Sequence, residues 1–145
     1  MDLVKKLTTA IEEMIVAQTG LHLLDFSLVL PSNTRESVEN GFGVMPTVLS
    51  EGDETTGFMW FRQAFRITLY KKYYKKEAKQ KVFELYEALE KILDKIYTLR
   101  VAGNNYQVVK FDNTSTTEPD VSDTYVSLEL EISALYRRTG LFDGR

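Results

Sequence analysis

The 145-residue chain contains no cysteine. Disulfides, zinc–thiolate centres and thiol nucleophiles are thereby excluded, and the composition suits a reducing compartment. Histidine is almost as scarce. His22 stands alone, near Asp25, Ser27 and Ser32, with no G-x-S-x-G elbow anywhere in the chain. It reads as a polar residue in a helix–strand link, because one histidine beside common polar residues carries little catalytic information. An excess of positive charge is lacking as well. The formal net charge is −3, whereas a dedicated nucleic-acid binder is usually basic. No stretch approaches the ~20 apolar residues of a membrane span. The opening MDLVKKLTTAIEEM lacks the continuous apolar core of a signal peptide, so a cytoplasmic product is expected. Gly41-Phe42-Gly43 has neither the spacing nor the following helix of a phosphate-binding loop. DNTSTTEPDVSD offers Asp112, Glu118, Asp120 and Asp123 as oxygen donors, but not in the order of an EF-hand loop, and reads as a solvated acidic loop. No enzyme chemistry, cofactor or metal is therefore expected.

What the chain does have is clear periodicity. Its length fits one domain over 1–145, large enough to bury roughly 68–70% of the surface its unfolded form exposes. Leu3, Val4, Leu7, Ala10, Ile11, Met14 and Ile15 recur at three- and four-residue spacing, which predicts an amphipathic helix stopped at Thr19-Gly20. A short apolar run at 26–30, ended by Pro31, predicts an edge strand. Residues 31–57 are rich in turn formers around one strand at 43–49. The acidic Glu51-Gly52-Asp53-Glu54 lies in a hairpin connection at 50–57. The second arm of that hairpin, 58–70, alternates with a period of two. Met59, Phe61, Phe65, Ile67 and Leu69 share one face, with Gln63 the exception; Trp60, Arg62, Arg66, Thr68 and Tyr70 share the other. From 76 to 98 the period becomes helical, with Ala78, Val82, Leu85, Tyr86, Leu89, Ile92, Leu93 and Ile96 on the apolar stripe, in a helix about 34 Å long. Strands at 106–111 and 126–136 follow, the last with Val126, Leu128, Leu130, Ile132, Ala134 and Tyr136 on one side and Glu129 and Glu131 on the other. Residues 137–145 form a short tail that orders against a partner.

The expected fold is α+β: an antiparallel sheet in the order α-β-β-β-α-β-β, with the N-terminal helix and one long helix packed on one face. The strand at 58–70 would extend roughly 43 Å. Two helices of moderate size do not cover so long a sheet. Part of each long strand should project and present unpaired backbone groups, which either a bulge bends away within a monomer or another subunit covers. Arg62 and Arg66 on one strand, and Glu129 and Glu131 on another, each form a same-face pair. They can meet as cross-strand ion pairs within one sheet, or match charges between neighbouring subunits. With Trp60 they are the subunit-interface candidates. Lys71, Lys72, Tyr73, Lys75 and Lys76, at the corner where strand becomes helix, are partner-contact candidates, together with Asp53, Glu54 and Asp120. The lysine–tyrosine cluster over 70–81 could also contact nucleic acid, but glutamates interrupt it.

Several segments together resemble the tail terminator proteins (also called tail completion or minor capsid proteins) of long-tailed bacteriophages. They are the N-terminal helix MDLVKKLTTAIEEMI followed by TG, and the segment FGVMPTVL. Next come Thr56-Gly57-Phe58 leading into FMWFRQAFRITLY, and the helix KEAKQKVFELYEALEKIL after a short charged link. The likeness covers roughly residues 1–137 and departs from the pattern at 31–42 and in the acidic 112–124 loop. It implies an antiparallel sheet flanked by helices and a homohexameric ring that caps the finished tail tube. Such a ring ends tube polymerisation and gives the head a surface to dock on. The implied partners are the tail-tube protein and a head-completion or connector protein, and the implied place is the neck of the virion tail after assembly in the host cytoplasm. It implies neither an enzyme nor a cofactor. A head-completion or stopper protein of similar size, and a small nucleic-acid-binding protein using the 70–81 corner, are the alternatives.

Overall fold

The computed structural model describes residues 2–24, 40–51, 59–101, 106–122 and 124–138. The first element is α1 (Asp2–Thr19). Leu3, Leu7, Ile11, Met14 and Ile15 form its buried stripe, as the spacing predicts. Its stop is local chemistry. Gly20 adopts φ +74°, and the Thr19 hydroxyl accepts from the Leu21 amide at 3.1 Å while donating to the Ile15 carbonyl at 2.7 Å. A side chain at position 20 would meet nothing within 4 Å, so the left-handed backbone alone is what favours glycine there.

Two short strands and four long ones make up the described sheet. They are β1 (His22–Leu23), β2 (Asn40–Glu51), β3 (Met59–Lys72), β4 (Tyr106–Thr116), β5 (Asp120–Val121) and β6 (Tyr125–Arg138), with α2 (Ala78–Ile96) between β3 and β4. The sheet order is β1-β2-β3-β6-β4, with β5 continuing the β4 side of β6. The α+β class and the element order match the sequence expectation. The run at 26–30 and residues 52–57 of the connection expected at 50–57 lie outside the described residues, while Ser50 and Glu51 of that connection belong to β2. The sheet is mixed rather than wholly antiparallel, because β1 pairs parallel to β2 through His22↔Gly41 and Leu23↔Phe42. Their approach is close: a Cβ on Gly41 would stand 3.0 Å from a Leu24 methyl and 3.1 Å from the His22 carbonyl oxygen.

The long strands are central, which corrects the expectation that they present unpaired edges. β3 and β6 pair without a break from Met59↔Arg138 to Lys72↔Tyr125. The two co-extensive strands satisfy each other. β3 has β2 on its other side, and β6 has β4 and then β5. Both also run further than their apolar alternation suggests, and so does β4, which continues to Thr116. The polar residues of the expected acidic loop are thus partly strand. Backbone pairing to a ready neighbour extends a strand past its last apolar residue.

Side chains on the helix-facing side interlock as Phe65 beside Ile132, Ile67 beside Leu130 and Leu69 beside Leu128. Phe42 and Val44 join from β2, and Val108 and Phe111 from β4. The last two are three apart, yet both face the core, because a register shift between Val108 and Lys110 changes the alternation. Helix α1 lies against β2 and α2, while α2 lies over β6 and β3. The helix stripe over Leu85, Leu89, Ile92 and Ile96 is buried as expected. Tyr86, expected in that stripe, is exposed instead. It stands about 100° around the helix from Leu85, on the flank of the apolar arc.

Gln63 explains itself once the β2–β3 register is known. It is buried among apolar neighbours, opposite a bulge that separates Pro46 from Leu49. Its side-chain amide donates to the Val48 carbonyl at 3.4 Å and to the Ala64 carbonyl at 2.8 Å. A bulge leaves backbone groups without ladder partners, and a buried amide in the facing strand supplies one.

Candidate assembly interface

The polar face of the sheet gathers the charges singled out in the sequence. Arg66 stands directly opposite Glu131, and Thr68 opposite Glu129, on adjacent antiparallel strands. Arg62 donates to the Ser133 hydroxyl at 3.1 Å and lies 3.6 Å from the Asp112 carboxylate. Asp112 is also 3.5 Å from the Lys110 ammonium. The arginine and glutamate pairs therefore share one face of two neighbouring central strands. Contact between sheet edges does not reach them; contact with the open face does. Trp60 falls in β3 with its backbone opposite Arg137.

The lysine corner is largely engaged inside the chain. Lys71 reaches Glu84 at 3.1 Å, and Lys81 reaches the same carboxylate oxygen at 3.5 Å. Gln80 donates to the other oxygen at 3.3 Å. Burial pushes the Glu84 carboxyl up, but the hydrogen bonds from Lys71 and Gln80 and the charges of Lys71 and Lys81 together hold it below its ordinary value. This pair ties the end of β3 to α2. The Lys72 ammonium sits 5.4 Å above the Tyr74 ring, and that of Lys79 5.9 Å above Phe83. Tyr73 donates from its amide to the Thr124 carbonyl at 3.0 Å and from its hydroxyl to the Ser122 carbonyl. Lys75, at φ 55°, and Lys76 are exposed. Asp120 is exposed in β5. Asp53 and Glu54 lie outside the described residues. His22 is exposed in β1, and among the described residues no cluster of three acidic or histidine side chains could hold a metal ion.

Two surfaces escaped the sequence reading. On α2 and at its C-cap, Phe83, Tyr86 and Tyr97 are 54%, 40% and 46% exposed. They lie on the flank of the helix away from α1, whose C-terminal end sits beside Gln80, Glu84 and Glu87. Elsewhere Val16 of α1, and Val48 and Leu49 at the β2 bulge, are exposed, and Val4, Lys5, Thr8, Thr9, Glu12 and Pro46 line an open groove. Burial, with a smaller push from the neighbouring Glu13 charge, raises the Glu12 carboxyl above its ordinary value. The 83/86/97 spacing was legible as one side of a helix, but not as its uncovered side. That depends on where the sheet ends. Among the described residues, nothing pairs with β2 beyond Phe42 on its outer side, nor with the outer side of β4.

Among the described residues no helix is long and apolar enough to cross a membrane. Compared with known proteins, the chain matches no family model and no curated protein.

Proposed function

We propose that this chain is a structural assembly protein of the bacteriophage tail-terminator kind, a subunit of a ring that caps the tail tube and offers the head a docking surface. The observation that carries the reading is the arrangement of the sheet. Two 14-residue strands, β3 and β6, form a rigid centre, while β2 and β4 form two rims with no strand beyond most of their length among the described residues. Unpaired rims are the usual place for strand addition or subunit contact. The two rims differ in side chains and direction, which suits head-to-tail contacts that close into a ring. The sequence likeness supplies the biological setting and the expected six-fold count. The working parts in this reading are surfaces: the rims for neighbouring subunits, and the polar face with the Lys75–Lys76 corner for tube or connector.

Light scattering on the protein alone and mixed with tail-tube protein tests this, with electron micrographs of any complex. Annular particles of about six subunits, seated on tube ends, are the expected result. A molecule that stays monomeric in both conditions and leaves tube growth unchanged sinks the proposal. Binding to a portal or adaptor ring in place of the tube would move the chain to the head-completion class.

A further inference from the structure

We infer that the outer flank of α2 is a docking surface for the α1–β2 rim of a second copy of this chain. The inference deepens the ring reading and rests on it for closure. It begins with strand direction. β2 is antiparallel to β3, β3 to β6, and β6 to β4, so β2 and β4 run in opposite directions. A second copy placed alongside in the same orientation brings its β2, beyond the Gly41–Phe42 stretch that β1 pairs, against β4 in the antiparallel sense, the more stable pairing.

Helix spacing agrees. Packed helices stand about 8–10 Å apart, and strands about 4.8 Å apart, so one helix spans roughly two strands. Within the chain, α1 lies over β2 and α2 over β6 and β3. The next position in that row, beyond α2, carries no helix among the described residues. A neighbour's α1, seated on its own β2 beside β4, fills it at helix-packing distance.

The side chains are complementary. The α2 flank offers Phe83, Tyr86 and Tyr97, with the exposed Glu90 and Asp94 toward its C-terminal half. The facing rim offers Val16 and Val48 with the groove beside Pro46, and the exposed Lys5 near the start of α1. The two helices run antiparallel, since Thr19 lies beside Gln80 and Glu84. In a copy set alongside at the same height, Lys5 therefore comes level with Asp94 and Glu90, and Val16 with Phe83. Lys5 then meets opposite charge toward the C-terminal half of α2, and Val16 meets Phe83 near its start, a pattern that fixes both partner and register. The two surfaces are different patches, so the contact propagates from copy to copy.

Because the chain is free of cysteine, introduced thiols are unambiguous reporters. Thr9→Cys and Glu90→Cys are both at exposed helix positions. Treated with a short bis-maleimide, each variant alone should give little dimer and their equimolar mixture several-fold more; the double variant should give a ladder. Equal self-cross-linking of the single variants, or no excess in the mixture, overturns the docking. Charge reversal is the second measurement. Lys5→Glu should lower the assembled fraction in light scattering, and adding Asp94→Lys should restore it; unchanged assembly in Lys5→Glu counts against the proposal. If the wild-type protein assembles but the mixture does not cross-link, the docking fails while the ring reading stands on other surfaces. If the protein is monomeric at every concentration, alone and mixed with tail-tube protein, both fall.

Discussion

Glu84 shows how one side chain can fix a junction. Its carboxylate accepts from Lys71 on β3 and from Gln80 on its own helix, with Lys81 nearby. Its carboxyl is held below the ordinary value, so the folded state favours the ionised form. The stability this gives is present above the unfolded value near 4.5 and is lost as pH falls through the folded one. Glu84→Gln should therefore destabilise the protein by about 1 kcal/mol at pH 7, with the variant and wild-type curves converging in acid. Parallel urea titrations at pH 7 and pH 3 check this, and a constant difference would refute it. Glu12 has the opposite sign. Its carboxyl is raised by burial and by Glu13, so the folded state holds the proton more tightly than the unfolded one. The penalty appears as pH rises through the raised value. Glu12→Gln should be more stable than wild type at pH 7 and no more stable at pH 3. A less stable variant at neutral pH would mean that the Glu12 charge has a partner in solution.

At the scale of elements, the β2 bulge and Gln63 form one device. The apolar alternation of β3 would place a leucine at 63, and only the facing bulge between Pro46 and Leu49 requires an amide. Gln63→Leu keeps the volume but leaves the Val48 carbonyl without this donor. It should cost about 1–2 kcal/mol, measured by chemical unfolding; equal or greater stability would show that the amide is dispensable. The same residue marks where sequence reading stops. Period-two and helical spacing identified α1, β3, α2 and β6, because a half-buried element writes its buried face into the chain, while β2 and β4 were read as strands set between turn formers. Gln63 was visible as an exception, but its reason was 15 positions away in a different strand. Likewise Arg62 and Arg66 were legible as a same-face pair, and so were Glu129 and Glu131. That β3 and β6 are immediate neighbours, setting Arg66 opposite Glu131, is a matter of strand order. Tyr86 fell in the helical apolar arc, and only the lack of a covering element among the described residues placed it outside.

At the scale of the whole molecule, stability and availability are distributed differently. β3 and β6 are flanked on both sides and covered by α2, with Phe65, Ile67, Leu130 and Ile132 fully buried. Their amides should exchange only through global unfolding, whereas β1 and β5, two residues each, should open locally. Native-state hydrogen exchange at low concentration should give that ranking. Raising the concentration to where the protein assembles should then slow exchange selectively. The amides expected to gain protection lie on the outer side of β2 between Gly43 and Leu49, and along β4. Those of β3 and β6 should not change, since their ladder is already complete. Protection gained on the polar sheet face around Arg66 and Glu131 alone, with the rims unchanged, would mean that copies meet face to face. The two rims would then be stable bare edges, blunted by the bulges at Pro46/Leu49 and in β4, and the ring geometry built on them would have to be abandoned.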